Sequence, residues 1–335
     1  MPRFHRYHRR MLYAGIDEAG YGPMFGPLCA GVSVFEIPTA PEQPPPCLWE
    51  ALGRMVTRTR RDARGRVVID DSKKLKGAGK KRHPLTHLER GVLLFTALAH
   101  GDAAWLEGLD DAAFLSVLGT PAPEGVWYDS TTPLPLGQDA SMLRIDRARL
   151  DRCCQEAGIR CAHLAAVAVP AAEFNHRVET AGSKAIVNFE LMVELAESCW
   201  KRSAGRTLVL AVDRHGGRIR YLDDLRTAWP EADRQVLEET DTASRYLLSM
   251  AGRGTMEISF TAGADARHLP VALASMTAKY VRELMMIRLN RFFAAHMPEL
   301  KPTAGYVEDG RRFLSDIEPV IDRAGLVRAE LVRCC

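Results

Sequence analysis

Two aspartates stand directly after short apolar runs, a position that suits them for chemistry. Asp17 follows the run from Leu12 to Ile16, and Asp213 follows the run from Leu208 to Val212. Both runs predict buried strands. Because ligands of α/β sheets collect at strand ends, where side chains leave the core, these two carboxylates are candidates for one polar site.

Glu18 adds an acid beside Asp17, and its direction depends on the backbone. Neighbouring side chains on a continuous strand point to opposite faces. We therefore expect the two acids to converge only if the chain turns, which Gly20 and Gly22 would allow because glycine tolerates turn conformations. The alternative for all these acids is a turn or capping role at the surface, since aspartate is common in turns.

Clustered carboxylates would themselves indicate a cofactor. Ionised acids at one spot repel one another unless a cation neutralises them. Mg²⁺ or Mn²⁺ is the expected partner, because both prefer hard oxygen ligands. Two such ions about 4 Å apart can activate water and stabilise the leaving oxygen of a phosphodiester.

A basic segment follows a different part of the chain. Asp71-Ser72-Lys73-Lys74-Leu75 precedes four further cationic residues, Lys76, Lys80, Lys81 and Arg82. Lysines placed in this way could contact phosphates without discriminating between bases. The alternative is an exposed, solvated charge run.

The order of elements favours an α/β layer structure, because strands and helices alternate. Further strands are predicted at Leu28–Phe35, Ile159–Val169 and Met256–Thr261, and a proline-rich loop at Pro38–Pro46. The predicted helices lie at 84–99, 110–118, 141–156 and 185–200, with a strongly amphipathic one at 270–293.

Composition sets few limits beyond a globular protein. The chain has 335 residues and a net charge of +3, which permits nucleic-acid binding without implying it. The longest apolar runs are too short for a membrane span. None of the eight cysteines forms a CxxC pair, so reduced thiols in a cytoplasmic protein are expected, with no zinc site.

Five blocks of this sequence, in this order, resemble the type 2 ribonucleases H (ribonuclease HII). GIDEAGYGPMFGP, from Gly15 to Pro27, is similar to the family's GIDEAGRGPLAGP. The later blocks are DSKKL at Asp71–Leu75, the strand LVLAVD ending at Asp213, DARHLPVALASMTAK from Asp265 to Lys279, and Gly305-Tyr306. In the fourth block Ser275 and Lys279 align with the family's AAASILAK pattern without a gap.

The resemblance implies a ribonuclease H-like mixed sheet with helices on both faces. It implies that Asp17, Glu18, Asp213 and Asp265 are catalytic and bind two divalent metals, Mg²⁺ or Mn²⁺. It further implies cleavage of RNA paired with DNA, leaving 3′-hydroxyl and 5′-phosphate ends. The substrate-binding residues carried over from the motifs are Gly20, Tyr21, Gly22, Ser72, Lys73, Lys74, Ser275, Lys279 and Tyr306.

This chain departs from the family pattern at two points near the motifs. Tyr21 replaces the usual Arg, and a Tyr cannot form the forked hydrogen bonds to phosphate that an Arg can. Asp213 is followed by Arg214-His215-Gly216-Gly217 instead of a single Gly. We expect His215 to be a solvated turn residue, with contact to the substrate or to a metal-bound water as the alternative. His268, beside Asp265, is expected to be a local capping or surface residue.

The predicted organisation is a basic tail at 1–10 and one domain at 11–335, with insertions near 38–66, 101–138 and 221–250. The expected partner is an RNA–DNA duplex, with no membrane. Two alternatives keep a nucleic-acid ligand: a structure-selective nuclease on another nucleic acid, and a catalytically silent binding relative. A small-molecule α/β enzyme is disfavoured because the chain has no phosphate-loop or dinucleotide fingerprint.

Overall fold

The computed structural model describes residues 10–38, 43–62, 65–75, 77, 82–101 and 107–334. The tail at 1–9 and the lysines Lys76, Lys80 and Lys81 lie outside these ranges. The strands are β1 Arg10–Ala19, β2 Leu28–Pro38, β3 Val56–Thr57, β4 Val67–Val68, β5 Arg160–Val169, β6 Leu208–Asp213, β7 Asp233–Glu239, β8 Ala243–Met250 and β9 Gly254–Thr261.

The helices described in these ranges lie between the strands and after the last of them. They are α1 Leu48–Ala51, α2 Ser72–Leu75, α3 Thr86–His100, α4 Asp111–Val117, α5 Ala140–Glu156, α6 Ala171–Ala181, α7 Lys184–Ser203, α8 Leu222–Ala228, α9 Leu269–His296, α10 Val307–Ala324 and α11 Arg328–Leu331. No helix in the described part of the chain has the length and apolar content needed to cross a bilayer.

One mixed sheet organises the molecule, in the order β5-β2-β1-β6-β9-β8-β7. Strands β1, β6 and β9 run parallel, and the other pairings are antiparallel. Side chains of β1 alternate between two cores: Met11 and Tyr13 pack in the core that contains α9, while Leu12 and Ala14 pack in the core that contains α7. This arrangement confirms the predicted mixed sheet with helices on both faces.

Helix α9 lies unusually close to the sheet because two glycines leave room for it. A Cβ atom on Gly15 would stand 2.2 Å from the backbone nitrogen of Val271, and one on Gly31 would stand 2.4 Å from the carbonyl oxygen of Ala274. Both distances are well inside van der Waals contact. Glycine at these positions therefore lets α9 cross β1 and β2 directly, which brings Ser275 to the end of β1.

The prediction that α9 is amphipathic is wrong, because the helix is buried on nearly all sides from Leu269 to Leu289. Helices α3 and α10 cover the side that faces away from the sheet. Charged residues on that helix are buried with partners. Arg282 donates to the carbonyl oxygens of Phe25 and Ala304 at 3.0 Å.

The segment at 221–250 extends the sheet. It folds into α8 and the strands β7 and β8, which add antiparallel to β9. The strands there, and helices α6 and α10, have no counterpart among the sequence predictions. The proline-rich stretch gives way to α1 and to the small parallel pair β3–β4, which leads into Asp71. That these segments are insertions stays a prediction.

Candidate active site

Three of the four predicted acids stand at the ends of adjacent parallel strands. Ile16 of β1 pairs with Val212 of β6, so the next residues, Asp17 and Asp213, emerge at the same edge of the sheet. Asp265 follows β9, the next parallel strand, in the short 3-10 turn Ala264–Ala266. The side chain of Asp213 accepts a hydrogen bond from the backbone N–H of Ala264 at 2.9 Å, which joins the two strand ends.

Glu18 reaches the same place without the turn that the sequence analysis required. Strand β1 continues through Ala19, and the two acids point to opposite faces of the sheet. Asp17 is hydrogen-bonded by Ser275 on α9, whereas Glu18 is hydrogen-bonded by the side chain of Asn188 on α7. They converge because the site lies at the edge of the sheet, where both faces open into one cleft.

The cleft has a volume of about 240 Å³. All the predicted site residues except Lys74 line it, together with Asp71, Ala19 and Pro23; the predicted residues present are Asp17, Glu18, Gly20, Tyr21, Gly22, Ser72, Lys73, Asp213, Asp265, Ser275, Lys279 and Tyr306. The ammonium group of Lys74 lies 3.8 Å from Asp70 and 3.9 Å from Asp71. The chain thus gathers residues from five separate motifs on one surface.

The acids of this cleft destabilise one another's charges. Burial raises the pKa of Asp17 well above its ordinary value, and the charges of Glu18 and Asp213 raise it further. The pKa of Glu18 is raised by burial and by Asp213. Burial and the charges of Asp71 and Asp213 likewise raise the pKa of Asp265. A cation would relieve this repulsion.

The donor chemistry of the cleft fits a divalent ion, because its acidic groups are all carboxylates. As placed, no three His, Cys, Asp or Glu side chains among the described residues lie close enough to coordinate one ion. Binding a cation would therefore require these carboxylates to draw together. Their mutual repulsion, expressed in the raised pKa values of Asp17, Glu18 and Asp265, opposes that approach until a positive charge enters.

A pair of serines connects the DSKKL segment to the acids. The hydroxyl groups of Ser72 and Ser275 lie 3.0 Å apart, and Ser275 also hydrogen-bonds Asp17. Lys279, one turn further along α9 than Ser275, forms an ion pair with Glu283 at 2.9 Å. Lys73 has no carboxylate within 4.0 Å in the described ranges, and its charge lowers the pKa of Glu18.

The turn at Gly20–Gly22 is held from behind by two arginines. Gly20 has a φ of +87°, and a Cβ there would stand 2.6 Å from the side chain of Arg282. Arg333, near the end of the chain, donates hydrogen bonds to the carbonyl oxygens of Gly20 and Pro23. The turn is thereby fixed at the cleft. Tyr306 stands at its rim with 53% of its surface exposed.

Three features of the cleft were not predicted. Asp71 lines the cleft, although the DSKKL motif predicts only its serine and lysines as site residues, and nothing in the sequence around Asn188 marks it as a neighbour of Glu18. The expectation that His215 is solvated is wrong: its side chain is 11% exposed, with Nε2 4.0 Å from a carboxylate oxygen of Glu18. Burial and the charge of Arg218 lower the pKa of His215 to about 4, so its ring is neutral at pH 7.

His268 occupies the N-cap position of α9 but makes no capping hydrogen bond with its side chain. Its Nδ1 atom instead lies 2.6 Å from the hydroxyl oxygen of Tyr13. Every cysteine that the structure describes is a free thiol.

No protein-family model and no curated protein matches this sequence. Solved structures of ribonucleases H do align with it. The ribonuclease HII of Archaeoglobus fulgidus, from its complex with PCNA, is 14% identical, covers 96% of this chain and 93% of its own, and has a TM-score of 0.40. The ribonuclease H2 of Pyrococcus horikoshii OT3 is 16% identical, covers 96% of this chain and 92% of its own, and has a TM-score of 0.41. Bst-RNase HIII in complex with Mn²⁺ is 14% identical, covers 98% of this chain and 67% of its own, and has a TM-score of 0.37.

The chain thus aligns over nearly its whole length with structures of ribonucleases HII and HIII. With such low identities and TM-scores, these similarities add nothing to the case for an activity. That case depends on the residues of the cleft.

Proposed function

We propose that this protein is a metal-dependent endonuclease that hydrolyses RNA in RNA–DNA duplexes, leaving 5′-phosphate and 3′-hydroxyl ends. The observation that carries the proposal is the meeting of Asp17, Glu18, Asp213 and Asp265 at one edge of the sheet. These acids come from positions up to about 250 residues apart. A surface role as turn residues does not explain why they share a cleft in which their charges repel.

The same four carboxylates are the residues that would hold Mg²⁺ or Mn²⁺. When bound, such ions activate a water molecule and stabilise the leaving oxygen of a phosphodiester. The protein contributes the placement of the ligands. Ser275 orients Asp17 from one face of the sheet, and Asn188 orients Glu18 from the other.

The rim of the cleft supplies groups for the nucleic acid. Lys73 and Lys279 offer positive charge to the backbone on the α9 side. The fixed turn at Gly20–Gly22 and the exposed ring of Tyr306 face the same space, and are suited to contact a ribose. Contact with the 2′-hydroxyl is how a protein distinguishes RNA from DNA.

A second candidate keeps the chemistry and changes the substrate. Tyr21 lies in the cleft where the resembling family has Arg, so a structure-selective nuclease on another nucleic acid remains the alternative. A catalytically silent relative is disfavoured, since each of the four acids is retained and lines the cleft.

The test is a cleavage assay with Mg²⁺ or Mn²⁺ on three labelled duplexes: a full RNA–DNA hybrid, DNA with one embedded ribonucleotide, and DNA alone. We expect the ribonucleotide-containing duplexes to be cut and the all-DNA duplex to survive. Asp213→Asn should lower the rate by at least about 10²- to 10³-fold, since it removes a charge needed in the transition state, while leaving duplex binding largely intact.

Asp223→Asn is the matched control, because this aspartate has a side chain that is 91% exposed and lies outside the cleft. It should cut at the wild-type rate. An Asp213→Asn variant as active as this control would falsify the metal role. Equal cutting of all-DNA and hybrid duplexes would replace the proposed substrate with the second candidate.

A further inference from the structure

The first turn of α7 lies beside the cleft, next to two of the residues that line it, Glu18 and Tyr21. Lys184 is the first residue of this helix, and the hydroxyl of Ser183 caps it by accepting a hydrogen bond from the N–H of Ile186 at 3.3 Å. Residues four apart on a helix share a face. Asn188, four residues on, reaches Glu18, so Lys184 points along the same side of the helix towards the cleft.

Lys184 reaches Tyr21, the residue at which the chain departs from the family motif. Its ammonium nitrogen lies 5.3 Å from the centroid of the Tyr21 ring, a cation–π contact that holds the charge in place. One face of this ring is therefore covered. This placement disfavours Tyr21 as a stacking platform for a base and favours the lysine as the group presented to the ligand.

The charge of Lys184 is available to an anion. Lys279 is paired with Glu283, and Lys74 lies near Asp70 and Asp71. In the described ranges, no carboxylate lies within 4.0 Å of the ammonium group of Lys184. The positive end of the α7 dipole adds to its field. The other available lysine of the rim, Lys73, stands on the α9 side.

We propose that Lys184 binds a backbone phosphate of the nucleic acid on the α7 side of the cleft, and supplies from a helix the positive charge that position 21 lacks. The inference rests on the proposed function. It assigns a binding residue on the side opposite Lys73, so that the backbone is held on both sides of the acids.

The test measures binding of a labelled RNA–DNA duplex to Asp213→Asn protein across a range of salt concentrations. Lys184→Met removes the charge and keeps an apolar chain against Tyr21. Losing one phosphate contact should weaken binding about fivefold near 0.15 M salt and reduce the slope of log K against log salt by about 1. Lys184→Arg should bind like the parent.

Lys201→Met is the matched control. Lys201 lies on the same helix, about 25 Å from Lys184 at the helical rise, and pairs with Glu197 at 3.1 Å. It should leave both affinity and slope unchanged. If Lys184→Met behaves like this control while the wild type cuts the hybrid, the assignment of Lys184 is overturned and the proposed function stands. If the Asp213→Asn protein shows no salt-dependent binding of the duplex, both the assignment of Lys184 and the proposed function are overturned.

A rescue variant tests whether the two positions serve one phosphate. We expect Tyr21→Arg in the Lys184→Met background to restore the salt slope, because the new guanidinium would occupy the space beside the lost ammonium. Circular dichroism and thermal unfolding verify that each variant is folded. A double variant as weak as Lys184→Met, although folded, would contradict the shared phosphate.

Discussion

Acids at the two ends of the sheet have opposite surroundings. Near the start of β1, Glu36 lies 2.8 Å from Arg160, 2.6 Å from Arg206 and 3.6 Å from Arg10. Hydrogen bonds from Arg160 and Arg206 outweigh burial and lower the pKa of Glu36 to about 2. Where β1 ends, burial and neighbouring acids raise the pKa of Asp17.

The comparison distinguishes an acid whose charge stabilises the fold from acids whose charges would be stabilised by a bound cation. Glu36 is neutralised within the chain, so folding itself satisfies it. The acids of the cleft repel one another, and under the proposed function a bound cation would offset this repulsion. Perturbed carboxylates of this second kind cluster at functional sites, and such sites are maintained at a cost in stability.

The largest expected effect on stability concerns a third acid, which is fully buried. Arg288 of α9 makes two hydrogen bonds to Asp111, at 2.6 and 2.8 Å, and both side chains are at most 2% exposed. Asp111→Ala would leave this guanidinium buried without its partner. We expect a loss of about 3–5 kcal/mol in the free energy of unfolding, measured with urea.

The double variant Asp111→Leu with Arg288→Met serves as the control, since it removes both charges and fills part of the space. This double variant should lose clearly less free energy of unfolding than Asp111→Ala. A single variant within about 1 kcal/mol of wild type, the scale of an exposed ion pair, would mean that paired acids are not what stabilises this part of the fold.

Glu36→Gln should lower the free energy of unfolding by an intermediate amount. The arginines around it are partly exposed, which weakens each pair, so we expect a loss of about 1–2 kcal/mol at pH 7. A lowered pKa stabilises the fold above the unfolded value near 4.5, and this contribution fades as the pH falls towards 2. Urea midpoints at pH 7 and pH 3 would measure how far the difference in stability between the variant and the wild type narrows.

A gap that widens on acidification would contradict the assignment of Glu36 as a stabilising, ionised group. Asp233→Asn, on the exposed edge strand β7, provides a control for the loss of an acid elsewhere.

Asp17→Asn should have the smallest effect on the free energy of unfolding, and this effect should be stabilising. Because the folded protein penalises the ionised form of Asp17, a neutral side chain should stabilise the metal-free protein by about 1 kcal/mol at pH 7. Since the folded pKa is raised, the advantage disappears below the ordinary pKa of aspartate, near 4, where Asp17 is protonated in both states. Thermal unfolding in EDTA measures the shift.

The same variant should lose cleavage activity, which joins the stability gain to the proposed function. A lower melting temperature for Asp17→Asn in EDTA would show that Asp17 helps to hold the fold together, and the contrast with Glu36 would fail.

Local patterns were sufficient for most of the central sheet. Strands such as β1 and β6 are short apolar runs that end in an acid, and these features are visible in a window of a few residues. Helix α9 was located correctly but misjudged in character, because burial of its outer side depends on α3 and α10, which no local window contains. The strands β7 and β8 were missed because β7 is the exposed edge of the sheet and β8 has buried residues only at alternate positions, which weakens the apolar pattern.

The sequence alone predicted which acids form the candidate site and determined the order in which they stand along the chain, since residue types and motif spacing are local properties. Only the tertiary structure decided that Glu18 joins Asp17 without a turn, and that Asn188 and Lys184 of α7 lie next to Glu18 and Tyr21. The reason is physical: these contacts join opposite faces of one sheet at its edge, and that edge exists only after parallel strands from distant parts of the chain have paired.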